Sequence, residues 1–280
     1  MPYHDMESFE NNPEYIHPFT AELISNKEII QYEQGWSKAL SPVVREIALT
    51  IYLNGKRIVT LLCTNNSKGF LAIGFLVMEG FIRPDDMEKT KILKLTDHEV
   101  HIEAPSFKEI PPQNQKMITS GLGRGITFMK TDNPQKYRDI LSPIKISPQQ
   151  VFHLMKKLSE RSTLYKLTHG VHNAAICTPD RLDIFQFDLG RHNAVDKLFG
   201  QSLLEKIPLT DKILVTSGRV SSEILDKVSQ MGCPLLISRS APTDRAIQLA
   251  EEAGLTLIAR VRGNKMTIYT HPERVLQESE

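Results

Sequence analysis

The sequence predicts an α/β protein, with a three-layer domain of alternating strands and helices preceded by a smaller α+β domain. Three observations predict it. After residue 171, short apolar strand-like runs alternate with helical patterns, which places helices on the faces of a sheet. In the first half, two alternating runs flank Asn54-Gly55, the sequence of a tight hairpin turn. Between the halves lies a glycine-rich, proline-containing stretch that reads as a connection.

With 280 residues and 40% hydrophobic content, the chain can fill a sizeable core. Residues 1–40 mix acidic, proline and aromatic residues without clear period and read as an N-terminal extension. The small α+β domain spans 41–115. It holds a hairpin over 44–53 and 57–63, a helix over 70–78 that follows Asn66-Ser67 and ends at Gly80, and strands near 92–95 and 100–104. The linker is 116–146, including Ser120-Gly121-Leu122-Gly123-Arg124-Gly125. Ser147-Pro148 then supplies an N-cap and a first-turn proline, opening the 147–280 domain with a helix to about 160. Strands follow at 182–187, 213–216, 234–237, 256–258 and 266–269, with helices at 193–206, 221–230 and 244–252.

Composition excludes several classes. Lys plus Arg total 34 against 33 for Asp plus Glu, a net charge of +1 that gives no global attraction to nucleic acid or to an anionic membrane. The most apolar window, 71–81, is interrupted by Glu79 and is far short of the ~20 residues of a membrane span. Asp5, Glu7, Glu10 and Glu14 read against a secretory signal. Cys63, Cys177 and Cys233 lie too far apart for a zinc knuckle or redox pair, and all three fall in apolar runs. The expectation is a reduced cytoplasmic protein with no nucleic-acid or membrane partner, and buried structural thiols.

Ligands of such sheets sit beyond the carboxyl ends of strands, in loops leading to helices. Three loops there carry the same chemistry. Asp188-Leu189-Gly190-Arg191-His192-Asn193 offers backbone N–H groups, an arginine and a histidine, and serves equally as an anion site or a helix cap. Ser217-Gly218-Arg219 repeats the pattern after the next strand, and Ser238-Arg239-Ser240-Ala241-Pro242-Thr243 after the one beyond. Together they imply a local rim for a large anionic ligand. Thr168-His169-Gly170-Val171-His172-Asn173-Ala174-Ala175 brings two histidines among small residues, read as hydrogen-bonding groups and not as metal ligands.

Taken together, these segments resemble the formate dehydrogenase accessory protein family of the FdhD type. The resemblance rests on His169-Gly170-Val171-His172-Asn173-Ala174-Ala175, on Gly190-Arg191-His192-Asn193-Ala194-Val195-Asp196-Lys197, on Ser217-Gly218-Arg219, on the 238–243 loop and on Thr256-Leu257-Ile258. It extends to Arg45, Asn54-Gly55 and the 74–80 segment. It implies a larger domain similar to the cytidine deaminase fold. It also implies a sulfur relay, in which a cysteine desulfurase gives sulfur as a persulfide that passes to the molybdenum bis-guanine-dinucleotide cofactor of formate dehydrogenase. The three loops supply Asp188, Arg191, His192, Asn193, Ser217, Gly218, Arg219, Ser238, Arg239 and Ser240 as cofactor-contacting residues, and the resemblance adds Arg260, Val261, Arg262, Gly263, Asn264 and Lys265 after the penultimate strand. A homodimer joins the desulfurase and formate dehydrogenase as a candidate partner.

The chain departs from that pattern at the reactive position. The best registration of the family's persulfide loop puts Leu122 where the cysteine belongs and Gly125 at the second position, and a leucine carries no persulfide. The acidic pair before Gly190 is here Phe187-Asp188. No catalytic residue is assigned. Two alternatives remain: a relative of zinc-dependent nucleoside or nucleotide deaminases, which need His-x-Glu and Pro-Cys-x-x-Cys, and a cofactor-delivery scaffold without catalysis.

Overall fold

The structure is a computed structural model that describes residues 22–105, 140 and 142–276. The Ser120 to Gly125 loop, Leu122 included, lies outside the described residues, as does most of the expected linker.

In the first half, β3 (Ile47–Leu53) and β4 (Lys56–Cys63) pair antiparallel across Asn54-Gly55. Both turn residues have positive φ, 50° and 77°, which suits the twist of a two-residue hairpin. Leu49, Ile51 and Leu53 are fully buried while Ala48 is exposed, so one face of β3 enters the core. β6 (Glu99–Glu103) lies parallel to β3, and β5 (Lys91–Leu95) pairs with β6, giving the order β4-β3-β6-β5. α1 (Lys68–Met78) is apolar almost all round and is buried accordingly. Gly80, at φ 76°, lets the chain leave α1 as expected.

An ordered element stands where the sequence suggests only an extension. β1 (Ile24–Tyr32) and β2 (Trp36–Val44) form a separate two-stranded hairpin. Its base packs Leu23 and Ile24 on Leu164 and Val171, but Ile30, Tyr32, Trp36 and Leu40 remain exposed. Without a buried face, the two-residue period that reveals other strands is absent.

The larger sheet comprises β7 (His172–Cys177), β8 (Leu182–Asp188), β9 (Ile213–Thr216), β10 (Leu235–Ser238), β11 (Thr256–Arg262) and β12 (Lys265–Thr270). Their order is β12-β11-β10-β9-β7-β8, with β9, β10 and β11 mutually parallel and the others antiparallel. On one face lies α2 (Pro148–Arg161), started by a capping box between Ser147 and Gln150, with Val151, Leu154 and Leu158 against Ala175, Val215, Ile237 and Ile258. On the other lie α4 (Arg191–Leu204), α5 (Ser222–Met231) and α6 (Asp244–Glu252). The result is the expected sheet between two helical layers. The short α3 (Thr163–Thr168) and strand β7 were not assigned from the sequence, because small residues and histidines mask the apolar signal there.

α4 crosses α1 at two glycines. A Cβ on Gly74 would lie 1.8 Å from the Asp196 carbonyl oxygen, and one on Gly200 would lie 1.9 Å from that of Phe70. No other residue type permits this approach. Through it the two sheets share one continuous buried cluster, in which Leu49 and Ile51 join Ala174, Leu214 and Leu257.

Candidate functional site: a basic sheet edge

Sheet topology brings the singled-out loops to one edge. His172 opposes Asp188, Ala174 opposes Thr216, and Thr216 opposes Ser238, so the start of β7 and the ends of β8, β9 and β10 coincide, with β11 parallel beside them. Hydrogen bonds stitch the edge together. Ser217 N–H donates to the Asn173 carbonyl, and Asn173 N–H returns to Ser217 Oγ at 2.9 Å. Ser238 Oγ donates to the Gly218 carbonyl at 2.7 Å, Ser240 Oγ to that of Ser217 at 3.0 Å, and Arg260 N–H to that of Ser240. The serines therefore set loop geometry, which leaves Arg219, Arg239, Arg260 and Arg262 to face solvent.

An open pocket of about 880 Å³ lies at the β11 end of this edge, lined by Arg239, Ser240, Arg260, Arg262, Asn264 and Lys265 with Pro148 and Phe152 at its wall. The 260–265 segment is not a loop after the strand. It is the end of β11 and its turn into β12, and Val261 points the other way, 1% exposed in the core. The pairing of β11 with β12 shifts between Ala259 and Arg262, and Arg260 adopts φ 55°, a left-handed conformation that costs a non-glycine residue about 1–2 kcal/mol. That bulge turns Arg260 out beside Arg262. Four cationic side chains with no acid in the lining suit an extended polyphosphate.

At the β7–β9 end stands a second basic group. The position a Cβ would take on Gly218 is 2.9 Å from Arg191 Cβ and 3.6 Å from His172 Nδ1, so both side chains pack on bare backbone. His192 Nε2 meets Glu223 at 3.0 Å. Burial first, then Arg191, His192 and Arg219, hold the His172 imidazole below its usual pKa, with Asp188 opposing. Arg191 is likewise depressed by burial and by Arg219.

Two expected ligand residues serve the fold. Asp188 is fully buried and ion-paired to Lys197 at 2.7 Å. Its Oδ2 accepts from Thr64 N–H and its Oδ1 from Gly190 N–H and Asn193 Nδ2, which also donates to the Leu62 carbonyl. Asp188 and Asn193 thus fix the start of α4 and tie it to the end of β4. Asp196, from the same string, pairs with Lys227 at 2.7 Å. Sequence reasoning missed Thr64 and Leu62, more than a hundred residues away, and Lys227, on another helix, and it had no signal that Lys197, nine residues on, turns back to Asp188. It also missed His172 as a neighbour of Arg191, which only recognition of β7 would have supplied.

All three cysteines are buried, as expected. Burial pushes the Cys63 and Cys233 thiols up to about 12 and raises that of Cys177 as well. Cys177 ends β7 at the edge opposite His172, five residues and thus about 17 Å along an extended strand. No group of three or more His, Cys, Asp or Glu side chains converges among the described residues. No described helix is long and apolar enough to cross a membrane.

Comparison with known proteins is concordant. The sulfur carrier protein FdhD of Bacillus subtilis (strain 168) is 40% identical over 252 residues, which cover 89% of this chain and 96% of that protein. The sulfur carrier protein FdhD of Listeria innocua is 34% identical over 259 residues, covering 91% and 99%. In fold, the chain superposes with a TM-score of 0.74 on a crystal structure from Desulfotalea psychrophila, provisionally described as a formate dehydrogenase accessory protein. The sequences there are 24% identical, with 91% of this chain and 100% of that one covered. The pattern of the FdhD/NarQ family matches residues 44–276, a stretch that takes in both sheets and the whole basic edge, and the chain belongs to that family.

Proposed function

We propose that this chain is a formate dehydrogenase accessory protein that holds the molybdenum bis-guanine-dinucleotide cofactor as cargo, with a guanine-nucleotide arm in the pocket at the β11–β12 turn. The observation that carries this reading is the pocket itself. About 880 Å³ is within the ~300–1,000 Å³ of small-molecule sites, and Arg239, Arg260, Arg262 and Lys265 supply the charge a pyrophosphate needs. The other residues read as cofactor-contacting, from Arg191 and His192 to Ser217, Gly218 and Arg219, lie along the same edge and extend the positive surface.

Sulfur transfer is the part of the family's chemistry that this chain lacks the group to perform at the usual position. With Leu122 at the persulfide position and three buried thiols of raised pKa, the reading favoured here is binding and delivery of the cofactor to formate dehydrogenase, with the sulfurtransfer step from a cysteine desulfurase performed elsewhere. The deaminase alternative fares worse, since His172 and Cys177 stand at opposite edges of the sheet. Calorimetry with GDP tests the proposal. Arg262→Ala should weaken binding by about 1–3 kcal/mol, the worth of a charge-assisted phosphate contact. Equal affinity of wild type, Arg262→Ala and Arg239→Ala for GDP would sink the pocket assignment.

A further inference from the structure

The pocket at the β11–β12 turn has two chemically different walls. Arg239, Arg260, Arg262 and Lys265 make one, and no carboxylate joins the lining among the described residues. Pro148 and Phe152 of α2, with Met266 of β12, make the other. The helical period explains this second wall. α2 buries Val151, Leu154, Met155 and Leu158, and Phe152 lies at the margin of that stripe. It is half-buried, packed on the core cluster beneath α2 and lining the pocket as well. Pro148 precedes it by four residues, so the two stand one above the other on one helix face and extend the apolar wall by about 6 Å along the axis. Pyrophosphate uses the cationic wall alone. A nucleobase uses the aromatic one, because stacking asks only for a flat ring and needs no carboxylate.

We infer that Phe152 is the base platform of this pocket: it stacks the base of a nucleoside diphosphate whose phosphates lie on the arginines and Lys265, and it sets a preference for a purine over a pyrimidine. The inference rests on the nucleotide reading of the pocket proposed above and names the residue that makes the site more than a phosphate clamp. Stacking responds to the area covered, so a two-ring base gains more from Phe152 and Pro148 than a one-ring base does. Charge and stacking then divide the ligand between them, with the phosphates held by the sheet edge and the base by the first turns of α2.

The test uses the full chain and three probes, GDP, CDP and pyrophosphate, in calorimetry. Phe152→Leu keeps an apolar side chain on the core and removes the ring. It should weaken GDP binding by about tenfold or more, leave pyrophosphate binding unchanged, and shrink the advantage of GDP over CDP. Phe152→Trp keeps an aromatic platform and supplies a spectroscopic reading. Combined with Trp36→Phe, which removes the chain's one native tryptophan from its exposed place on the β1–β2 hairpin, it should bind GDP at least as tightly as the wild type. Its fluorescence should be quenched saturably by GDP and not by pyrophosphate. Equal loss of GDP and pyrophosphate in Phe152→Leu overturns the inference, since a distorted pocket gives that result, and so does a Phe152→Trp emission that ignores GDP. If Arg262→Ala weakens GDP binding and Phe152→Leu does not, the inference falls and the pocket reading stands. If neither variant changes GDP binding, both fall.

Discussion

Lys197 Nζ lies 2.7 Å from Asp188 Oδ2, with both side chains fully out of solvent. Thr64, Asn66 and the Phe187 carbonyl complete the ammonium's shell, and four further donors complete the carboxylate's. The pair is therefore the knot between β8, α4 and the segment that follows β4. Lys197→Met leaves a buried carboxylate without its cation, and should cost about 3–5 kcal/mol. Urea unfolding measures it, and the double variant Asp188→Asn with Lys197→Met should recover part of that loss.

Gly200→Ala forces a methyl into the Phe70 carbonyl across the α1–α4 crossing. Since backbone cannot rotate away as a side chain can, the cost should reach the upper end of the ~1–3 kcal/mol typical of overpacking. Gly35, with nothing within 4 Å of its would-be Cβ, provides the control: Gly35→Ala should change stability by no more than about 0.5 kcal/mol in the same thermal melts.

His172 gives stability a pH dependence. Its folded-state pKa is depressed, by burial first and then by Arg191, His192 and Arg219, so the unfolded chain binds the proton more readily. The contribution is fully present above the ordinary imidazole value and is drawn down as the pH falls below it toward the lowered midpoint. In Arg219→Gln the decline should be shallower and the His172 midpoint higher. An unchanged midpoint in that variant, read by NMR, would detach Arg219 from His172.

The thiols should be silent in the native protein. With Cys63 and Cys233 pushed up to about 12, iodoacetamide at neutral pH should label no cysteine until denaturant is added, whereupon all three react. Incubation with a cysteine desulfurase and cysteine should likewise leave no persulfide by mass spectrometry. A persulfide on native Cys177 would show that the relay has moved and that the chain is an active sulfurtransferase. Leu122→Cys is the complementary variant, and labelling there would show that its loop retains the family's geometry.

How much of this was legible in the sequence depends on where each residue's partner lies. The 54–55 turn, the Ser147-Pro148 cap and helices such as 244–252 follow from local chemistry, and the structure places them at or within a residue or two of the expected positions. The shared edge also follows, because parallel strands put successive loops together. Asp188 and Asn193 read as ligands because Thr64 and Leu62, which tie them into the fold, are distant in sequence, and because the ion pair of Asp188 with nearby Lys197 leaves no local sequence signal. Val261 was read as a loop residue for a simpler reason: the strand runs four residues beyond its expected end, which places Val261 in the core. The β1–β2 hairpin was invisible because Ile30, Tyr32, Trp36 and Leu40 are exposed among the described residues and leave no alternating buried face.

The α1–α4 crossing joins the two halves through peptide groups, with no side chain between them to absorb a change of spacing. Such a joint cannot slide or re-seat by rotamer adjustment, so the halves should melt as one cooperative unit in spite of their separate sheets. The same joint makes a fragment beginning at residue 142 a poor domain: it would bare the glycine-floored channel along α4 that α1 fills, and precipitate where the whole chain stays in solution.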